Sequence, residues 1–520
     1  MSQRKAPLLG IDLGTTRSVV AFVDSNGKPE TIRNREGDLT TPSVVLFEDS
    51  GLTVGKEALK AASTLPGKVA SFVKREMGKE NYSVQFGGDF YSPELISAAV
   101  LERMRLDAEA KFGCKVQQAV VSVPAYFDES KRLATINAGL LAGLDVLAII
   151  NEPTAAALAF AGSVIPPEDN TGHNELSGDT ILVYDLGGGT FDVSVVKLEG
   201  NDFVVQATDG NARLGGLDWD KCLADWLDSQ FEATHSVRPS ETLPGKMMLM
   251  REAEEIKHSL TARQKCRVRL AWEGLHLNVL ITRTEFEDLT AHLLDRTCFT
   301  VRHLFQENQI AWTDIDRVVL VGGSTRMPQV REALLRESGK LPEFTVSADE
   351  AVAHGAAIYA EATFGMPEGE ESQHSLKVTD VNAHDLGVLG HDRETSRRCN
   401  HTMIKRNTAL PVSHMARFDT IRENQRSVVV EIVEGGDRRG VHSNKLGRFV
   451  VDKLPVGLPE GTPVDVLFRY DRDGLITVEA CLPTANRYGK LTIDRASPGE
   501  GGEFEKMQEI YSALNLLDED

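Results

Sequence analysis

Gly10-Ile11-Asp12-Leu13-Gly14-Thr15-Thr16 and Tyr184-Asp185-Leu186-Gly187-Gly188-Gly189-Thr190 are two versions of one pattern. Each sets an acidic residue at the end of a short apolar run and follows it with glycine and threonine. Each then returns to an apolar run, Ser18–Val23 after the first copy and Phe191–Leu198 after the second. One copy alone reads equally well as a plain hairpin turn. Two copies, with a further glycine turn at Gly322–Gly323 behind the apolar run Asp316–Val321, read as an internal repeat of long period. The expected architecture is therefore two related α/β lobes around one cleft.

The flanking sequence fits that division. In the first half, Ser92 is a cap before Pro93, and Leu95, Ile96, Ala99, Val100 and Met104 recur at helical spacing through Phe112. Gln118–Val123 reads as a buried strand and Asp128–Leu144 as a helix; Ile149–Ile150 leads through Asn-Glu-Pro into an alanine-rich helix, Thr154–Ala161. Glu168–Gly178 is a polar break, after which the pattern restarts with a strand over Asp179–Asp185. Helices follow over Trp219–Leu260, broken around Arg238–Pro244, then over Met327–Arg336 and Asp349–Ala362.

Pro367–Ser375 is acidic and poor in apolar residues, which suits a linker. Beyond it the texture changes to short alternating runs: Ser427–Val433, Arg448–Val451, Val464–Tyr470, Leu475–Ala480 and Lys490–Ile493. Glycine and aspartate turns separate them, the pattern of an all-β sandwich. The expected divisions are a two-lobed domain over 1–366, a linker over 367–380, a sandwich over 381–496, and an acidic tail over 497–520 able to form a single helix across Phe504–Leu517.

Composition narrows the function classes. A net charge of −20 disfavours a nucleic-acid groove, which needs excess Lys and Arg. The six cysteines, at 114, 222, 266, 298, 399 and 481, form no C-x-x-C pair and read as core residues or free thiols. Met1–Gly10 is followed by no apolar signal region, and no uncharged apolar stretch is long enough to span a bilayer, so the cytosol is the expected compartment.

The repeated turns point to phosphate. Glycines permit left-handed backbone and close approach, so successive amides converge into a nest for phosphate oxygens. Gly14, Thr15 and Thr16 supply one nest; Gly187, Gly188, Gly189 and Thr190 supply the other. Carboxylates beside phosphates would repel them unless a divalent cation lies between, held largely through water. Asp12 and Asp185, at the strand ends, are the residues for such a Mg²⁺, with Asp192 and Glu152 as further carboxylates of its shell or for orienting water. No Walker A loop occurs.

These motifs, with Val-Pro-Ala-Tyr-Phe (123–127), Ile-Asn-Glu-Pro-Thr-Ala-Ala-Ala (150–157), Leu-Gly-Gly (214–216) and Val-Gly-Gly-Ser-Thr-Arg-Met-Pro (321–328), resemble those of the Hsp70 chaperones, in the same order. The tail resembles the family's peptide-binding sandwich at Lys405–Pro411, Asn444–Phe449 and Asp473–Ala480, so the likeness covers roughly residues 8–495. It implies an actin-like ATPase of two ribonuclease H-like halves, followed by a β-sandwich that holds extended polypeptides. It implies ATP, ADP and Mg²⁺ as ligands, with a J-domain co-chaperone and a nucleotide-exchange factor as partners. By the resemblance, Lys74 neutralises γ-phosphate charge and Glu152 orients the attacking water. Asp12, Asp185 and Asp192 surround metal and water, and Thr15, Thr16, Thr190 and the loop glycines hold phosphate. Glu254, Lys257 and Thr261 share a helix face toward ribose and adenine, while Gly216, Gly322, Gly323, Ser324, Arg326 and Asp349 complete the nucleoside pocket. Pro124 and Arg132 match the family's interdomain relay.

The sequence departs from the family at four places. His258 replaces an Arg that stacks on adenine, and Ala148 replaces an Arg that meets J-domains. Ser375–Asp380 carries Lys377 and Thr379 where the linker is normally apolar, which implies weaker docking. After Ile493 too few residues follow for the family's helical lid, and the peptide-facing stretch His391–His401 is unusually charged, with Arg393, Glu394, Arg397 and Arg398. The leading expectation is an ATP-dependent chaperone. The alternative is an actin-like-fold ATPase whose β-domain docks one dedicated partner as an assembly or signalling module.

Overall fold

The computed structural model describes residues 6–79, 81–164, 177–344, 347–365, 376–392, 395, 397–471, 474–485, 487–493 and 502–517. Most of the polar break at 168–178, the stretch 367–375, and Arg393, Glu394 and Asp473 lie outside them.

The repeat read from the two glycine turns is a repeat of sheets. In the first lobe the strand order is Asp145–Asn151, Gln118–Val123, Leu9–Asp12, Arg17–Val23, Pro29–Thr31, with Thr41–Pro42 also paired to Arg17–Val23. In the second it is Glu343–Phe344, Arg317–Val321, Thr180–Leu186, Phe191–Glu199, Asp202–Asn211, Lys377–Thr379. In both lobes a central strand carries an acidic residue at its last or next-to-last position (Asp12, Asp185), turns through glycine into an antiparallel neighbour, and lies parallel to a later strand on its other side. Central strands flanked by helices are buried on both faces. Thr180–Leu186 is accordingly buried at every position.

Local chemistry sets the helix ends. Ser92 caps the helix Pro93–Phe112 by accepting from Leu95 N, with Pro93 in the first turn. Asp128 caps Glu129–Leu141 by accepting from Lys131 N at 3.1 Å. The expected break in the second lobe separates helices Gly216–His235 and Leu243–Ala262, the second capped by the Thr242 hydroxyl. A hairpin, Lys265–Trp272 with Leu275–Thr282, and a long helix, Arg283–Asn308, follow it.

Among the described residues, three large apolar clusters and two small ones hold the two lobes. One centres on Trp219, Tyr184 and Phe191 in the second lobe, and one on Phe47, Leu101 and Met77 in the first. The third joins the lobes through the alanine-rich helices Glu152–Val164 and Ala351–Phe364, which cross between the sheets.

The C-terminal region is a sandwich of two four-stranded sheets. One is ordered Arg398–Ile404, Leu386–His391, Val428–Glu434, Asn444–Val451, and the other Val412–Asp419, Pro463–Tyr470, Ile476–Leu482, Arg487–Ile493. Their inner faces meet around Phe468, Val478 and Ile432. The sandwich rests on both lobes. Arg406 pairs with Asp209 and Glu307, each at 2.9 Å, and the Asn407 side chain accepts from Thr208 N at 2.9 Å. Glu434 accepts from Glu129 N at 2.9 Å, at the N-terminus of the helix that Asp128 caps.

The linker enters the second-lobe sheet. Lys377–Thr379 pairs parallel with Asp202–Val204 as its edge strand. Leu376 and Val378 point to the cluster between the lobes, as does Val381 just beyond. Lys377 is exposed beside Asp202, so strand alternation turns the two polar replacements away from that core. The stretch read as an acidic tail contains a helix, Gly502–Ser512, which packs on the first lobe.

Candidate active site

The two glycine turns face each other across the cleft. A Cβ on Gly188 would collide with the Thr16 hydroxyl, and one on Gly189 with that of Thr15, so only glycine lets the loops approach this closely. The second loop is held by its carbonyls. Gly187 O accepts from Gly216 N at 3.0 Å and from the Ser324 hydroxyl at 2.9 Å; Gly188 O accepts from Leu217 N at 2.8 Å; Gly189 O accepts from Arg75 Nε at 2.8 Å. Because the peptide unit is planar, carbonyls tied outward leave the intervening amides aimed into the cleft. In the first loop, Gly14 N donates to Ser18 Oγ, and Ser43 Oγ donates to Gly14 O.

Behind the loops lies a buried charge cluster. Asp12, Lys74, Glu152, Asp185, Thr190 and Asp192 are each no more than 6% exposed or lie within the strand ends that form the cleft floor. Asp185 and Asp192 sit opposite each other in the hairpin register. Lys74 lies in a short 3-10 turn, Val73–Glu76, and its Nζ donates to Glu152 Oε1 at 2.5 Å. Asp12 Oδ1 accepts from Ser122 Oγ at 3.1 Å, and Asp192 Oδ1 accepts from Tyr126 N at 3.0 Å.

One lysine does not balance four carboxylates. Burial, then the charge of Glu152, pushes Asp12 up to about 7 and Asp192 up to about 7. Asp185 stands well above the carboxylate range through burial and the charges of Glu152, Asp192 and Asp12. Burial pulls Lys74 down, but Glu152 and Asp12 outweigh it, so the ammonium stays charged above its usual range. The cluster thus lacks positive charge. Among the described residues no three His, Cys, Asp or Glu side chains converge closely enough to ligate a metal directly. A cation held through its water shell fits both observations, and one bound there with a nucleotide would neutralise phosphate charge.

The residues expected to frame a nucleoside come together on the second lobe. Lys257 is buried, pairing with Asp220 at 2.7 Å and donating to Gly216 O at 3.2 Å. Burial, partly offset by Lys257, raises Asp220 to about 6. Glu254 is half-buried one turn away, while Thr261 donates its hydroxyl to Lys257 O. Gly322 adopts φ +82°, where a side chain would meet Leu186 O and Asp185. Gly323 lies beside Asp349, which pairs with Arg326 at 2.7 Å. His258 is at the rim, its imidazole pushed down by partial burial and by Lys257.

Three groups of the cleft belong to no motif quoted above: Arg75, Ser122 and Asp220. Arg75 spans the cleft, reaching Gly189 O and pairing with Asp218 at 2.6 Å. Its only sequence signal is adjacency to Lys74. Tyr126 touches both domains. Its N–H goes to Asp192, while its carbonyl takes a hydrogen bond from His384 Nε2 at 3.0 Å and its ring meets the His384 ring edge-on. Burial lowers His384 to about 4, so the ring is neutral and Nε2 carries the proton. Arg132 donates to Ala125 O, Phe127 O and the Asn151 side chain, and Asn151 donates to Asp380 of the linker at 2.6 Å.

The comparisons with known proteins agree with this geometry. The family model described as Hsp70 protein matches residues 8–519. Proteins named chaperone protein DnaK, from two strains of Halobacterium salinarum, are 38% identical over 519 residues, spanning 98% of this chain and 79% of theirs. Two actin-like lobes, a cleft lined by their two glycine loops, and a β-sandwich joined through a linker strand are the parts of one machine, and the chain belongs to the Hsp70 family of ATP-dependent chaperones.

Proposed function

We propose that the chain spends ATP hydrolysis in the cleft on capture and release of extended polypeptide segments in the sandwich. Hydrated Mg²⁺ sits among Asp12, Asp185 and Asp192, and Glu152 orients the attacking water with Lys74 beside it. Thr15, Thr16, Gly187–Gly189 and Thr190 grip the phosphates. Lys257, Glu254, Thr261, Ser324, Arg326 and Asp349 frame the nucleoside. The observation that carries the coupling is the Asp192–Tyr126–His384 chain. One residue hydrogen-bonds a cleft carboxylate on one side and the sandwich on the other. A change at the nucleotide can therefore bias sandwich docking.

The partners follow from the family. Clients are unfolded or extended segments. Exchange factors act on the cleft, and Ala148, half-buried beside Val120, offers J-domains no charge to meet. Among the described residues no helix is long and apolar enough to cross a membrane. We assign the chain to the cytoplasm. The test is the dissociation rate of several unrelated fluorescent peptides with ADP and then ATP. Release that ATP accelerates for most of them supports the reading. ATP turnover with no peptide response overturns it in favour of a dedicated partner.

A further inference from the structure

The segment after the sandwich is built into the first lobe. Phe504, Met507, Ile510, Tyr511 and Leu514 recur at helical spacing and pack, with Leu516, against the core that contains Leu52, Tyr91 and Leu95. Tyr511 is 8% exposed and its hydroxyl donates to Glu102 Oε2 at 2.7 Å. The Ser92 hydroxyl, which also caps the helix Pro93–Phe112, reaches the Met507 sulfur at 3.7 Å.

Past the helix the backbone itself joins a sheet. Leu52 N donates to Asn515 O at 2.8 Å, Leu517 N donates to Leu52 O at 2.9 Å, and Leu52 and Leu516 form a parallel bridge. Gly51–Val54 is an edge strand of the small sheet it shares with Val44–Glu48 and Val69–Ser71, so the segment occupies that edge. Gly51 is shaped for it: at φ +155° a side chain there would be strained, and its Cβ would strike the Asn515 carbonyl.

These contacts all fall on one lobe, away from the cleft. Closure of the lobes on a nucleotide therefore needs none of them to break. Meanwhile the sandwich is held at both ends: its entry by Lys377–Thr379 on the second-lobe sheet, its exit by this segment on the first. Only eight residues separate Ile493 from Gly502, a covalent reach of about 30 Å at most.

We propose that residues 502–517 are an intramolecular strap, a resident part of the first lobe that keeps the end of the sandwich tethered to the ATPase in both nucleotide states. A lid that alternates between sandwich and ATPase is the opposite arrangement. The strap would let the linker undock without releasing the sandwich, and would turn relative rotation of the lobes into tension across it.

Hydrogen–deuterium exchange on the full chain tests this, comparing ADP with ATP and following peptides that cover Gly51–Val54 and Phe504–Leu517. The expected result is strong protection of both segments, equal within about threefold between the two states. Protection in only one state overturns the strap. Gly51→Ala and Tyr511→Ala, which lie outside the cleft, each speed exchange of Phe504–Leu517 by tenfold or more while core strands stay protected. Unchanged exchange in both variants also overturns it. Neither failure touches the ATPase reading, which rests on the cleft.

Discussion

Arg75, on the first lobe, donates from Nε to the carbonyl of Gly189 on the second lobe at 2.8 Å, and its other nitrogens hold Asp218 at the start of the helix Gly216–His235. One partly buried guanidinium thus latches the lobes beside the second glycine loop. Charge-assisted bonds of this kind contribute roughly 1.5–3 kcal/mol. Arg75→Ala should speed nucleotide release about tenfold, measured with a fluorescent ATP analogue in stopped flow. Arg75→Lys should restore little, because one ammonium cannot serve both partners.

Lys74→Ala and Thr190→Ala should each lower single-turnover hydrolysis by about a hundredfold or more while nucleotide affinity changes only a few-fold. Turnover near wild type in both would remove these residues from the chemistry. Lys74→Ala has a second signature. It leaves Glu152 among Asp12, Asp185 and Asp192 with no cation, so the variant's melting temperature should depend more steeply on Mg²⁺ than that of the wild type.

Asn151 ties Arg132 to Asp380 of the linker. Asn151→Ala should leave basal hydrolysis within about threefold and reduce the ATP-induced acceleration of peptide release about tenfold, which the ratio of release rates in ATP and ADP measures directly.

Two buried groups at the sandwich contact, Glu434 and His384, should respond to mild acid in opposite senses. Glu434 accepts from Glu129 N and lies near the carboxylates of Asp128 and Glu129, with Arg132 also in range. Burial, with those two neighbours, raises it to about 7. A carboxyl whose pKa is higher docked than free opposes docking above that pKa and ceases to oppose it below the free value of about 4.5. His384 at the same contact, held at about 4 when docked, is penalised over the same range, so the docked population, followed by energy transfer between the domains, should change little in the wild type from about pH 7.5 to 5. Glu434→Gln, which still accepts the Glu129 N–H, removes that gain and leaves the His384 penalty, so its docked population should fall as pH drops toward 5.

How much of this was legible in the sequence depended on whether a feature was local. The paired glycine turns announce the two lobes because each strand–turn–strand unit carries its own pattern. Capping residues such as Ser92 and Asp128 mark their helices within a residue. The hairpin Lys265–Trp272 with Leu275–Thr282 was not read, because its turn is Glu273-Gly274 and its strands are half exposed. The sandwich strands Arg398–Ile404 and Val412–Asp419 lack clean alternation for the same reason. At the cleft, the motifs named the carboxylates, the lysine and the loops. They could not name Arg75, Ser122 or Asp220, which act through partners distant in sequence. The linker shows the converse. Composition shows only that Lys377 and Thr379 are polar; strand alternation packs the half-buried Leu376 and Val378 toward the core between the lobes and lets Lys377 face water.

The linker strand has a further consequence, one of solubility. Lys377–Thr379 covers backbone groups at the edge strand Asp202–Asn211. Whenever the linker leaves, those N–H and C=O groups face solvent as an open template for any extended chain, including another copy of the protein. Any cycle that undocks the linker would therefore expose a surface of the kind that drives self-association. Brief residence in the undocked state is then a condition for the chaperone to stay dispersed at high concentration.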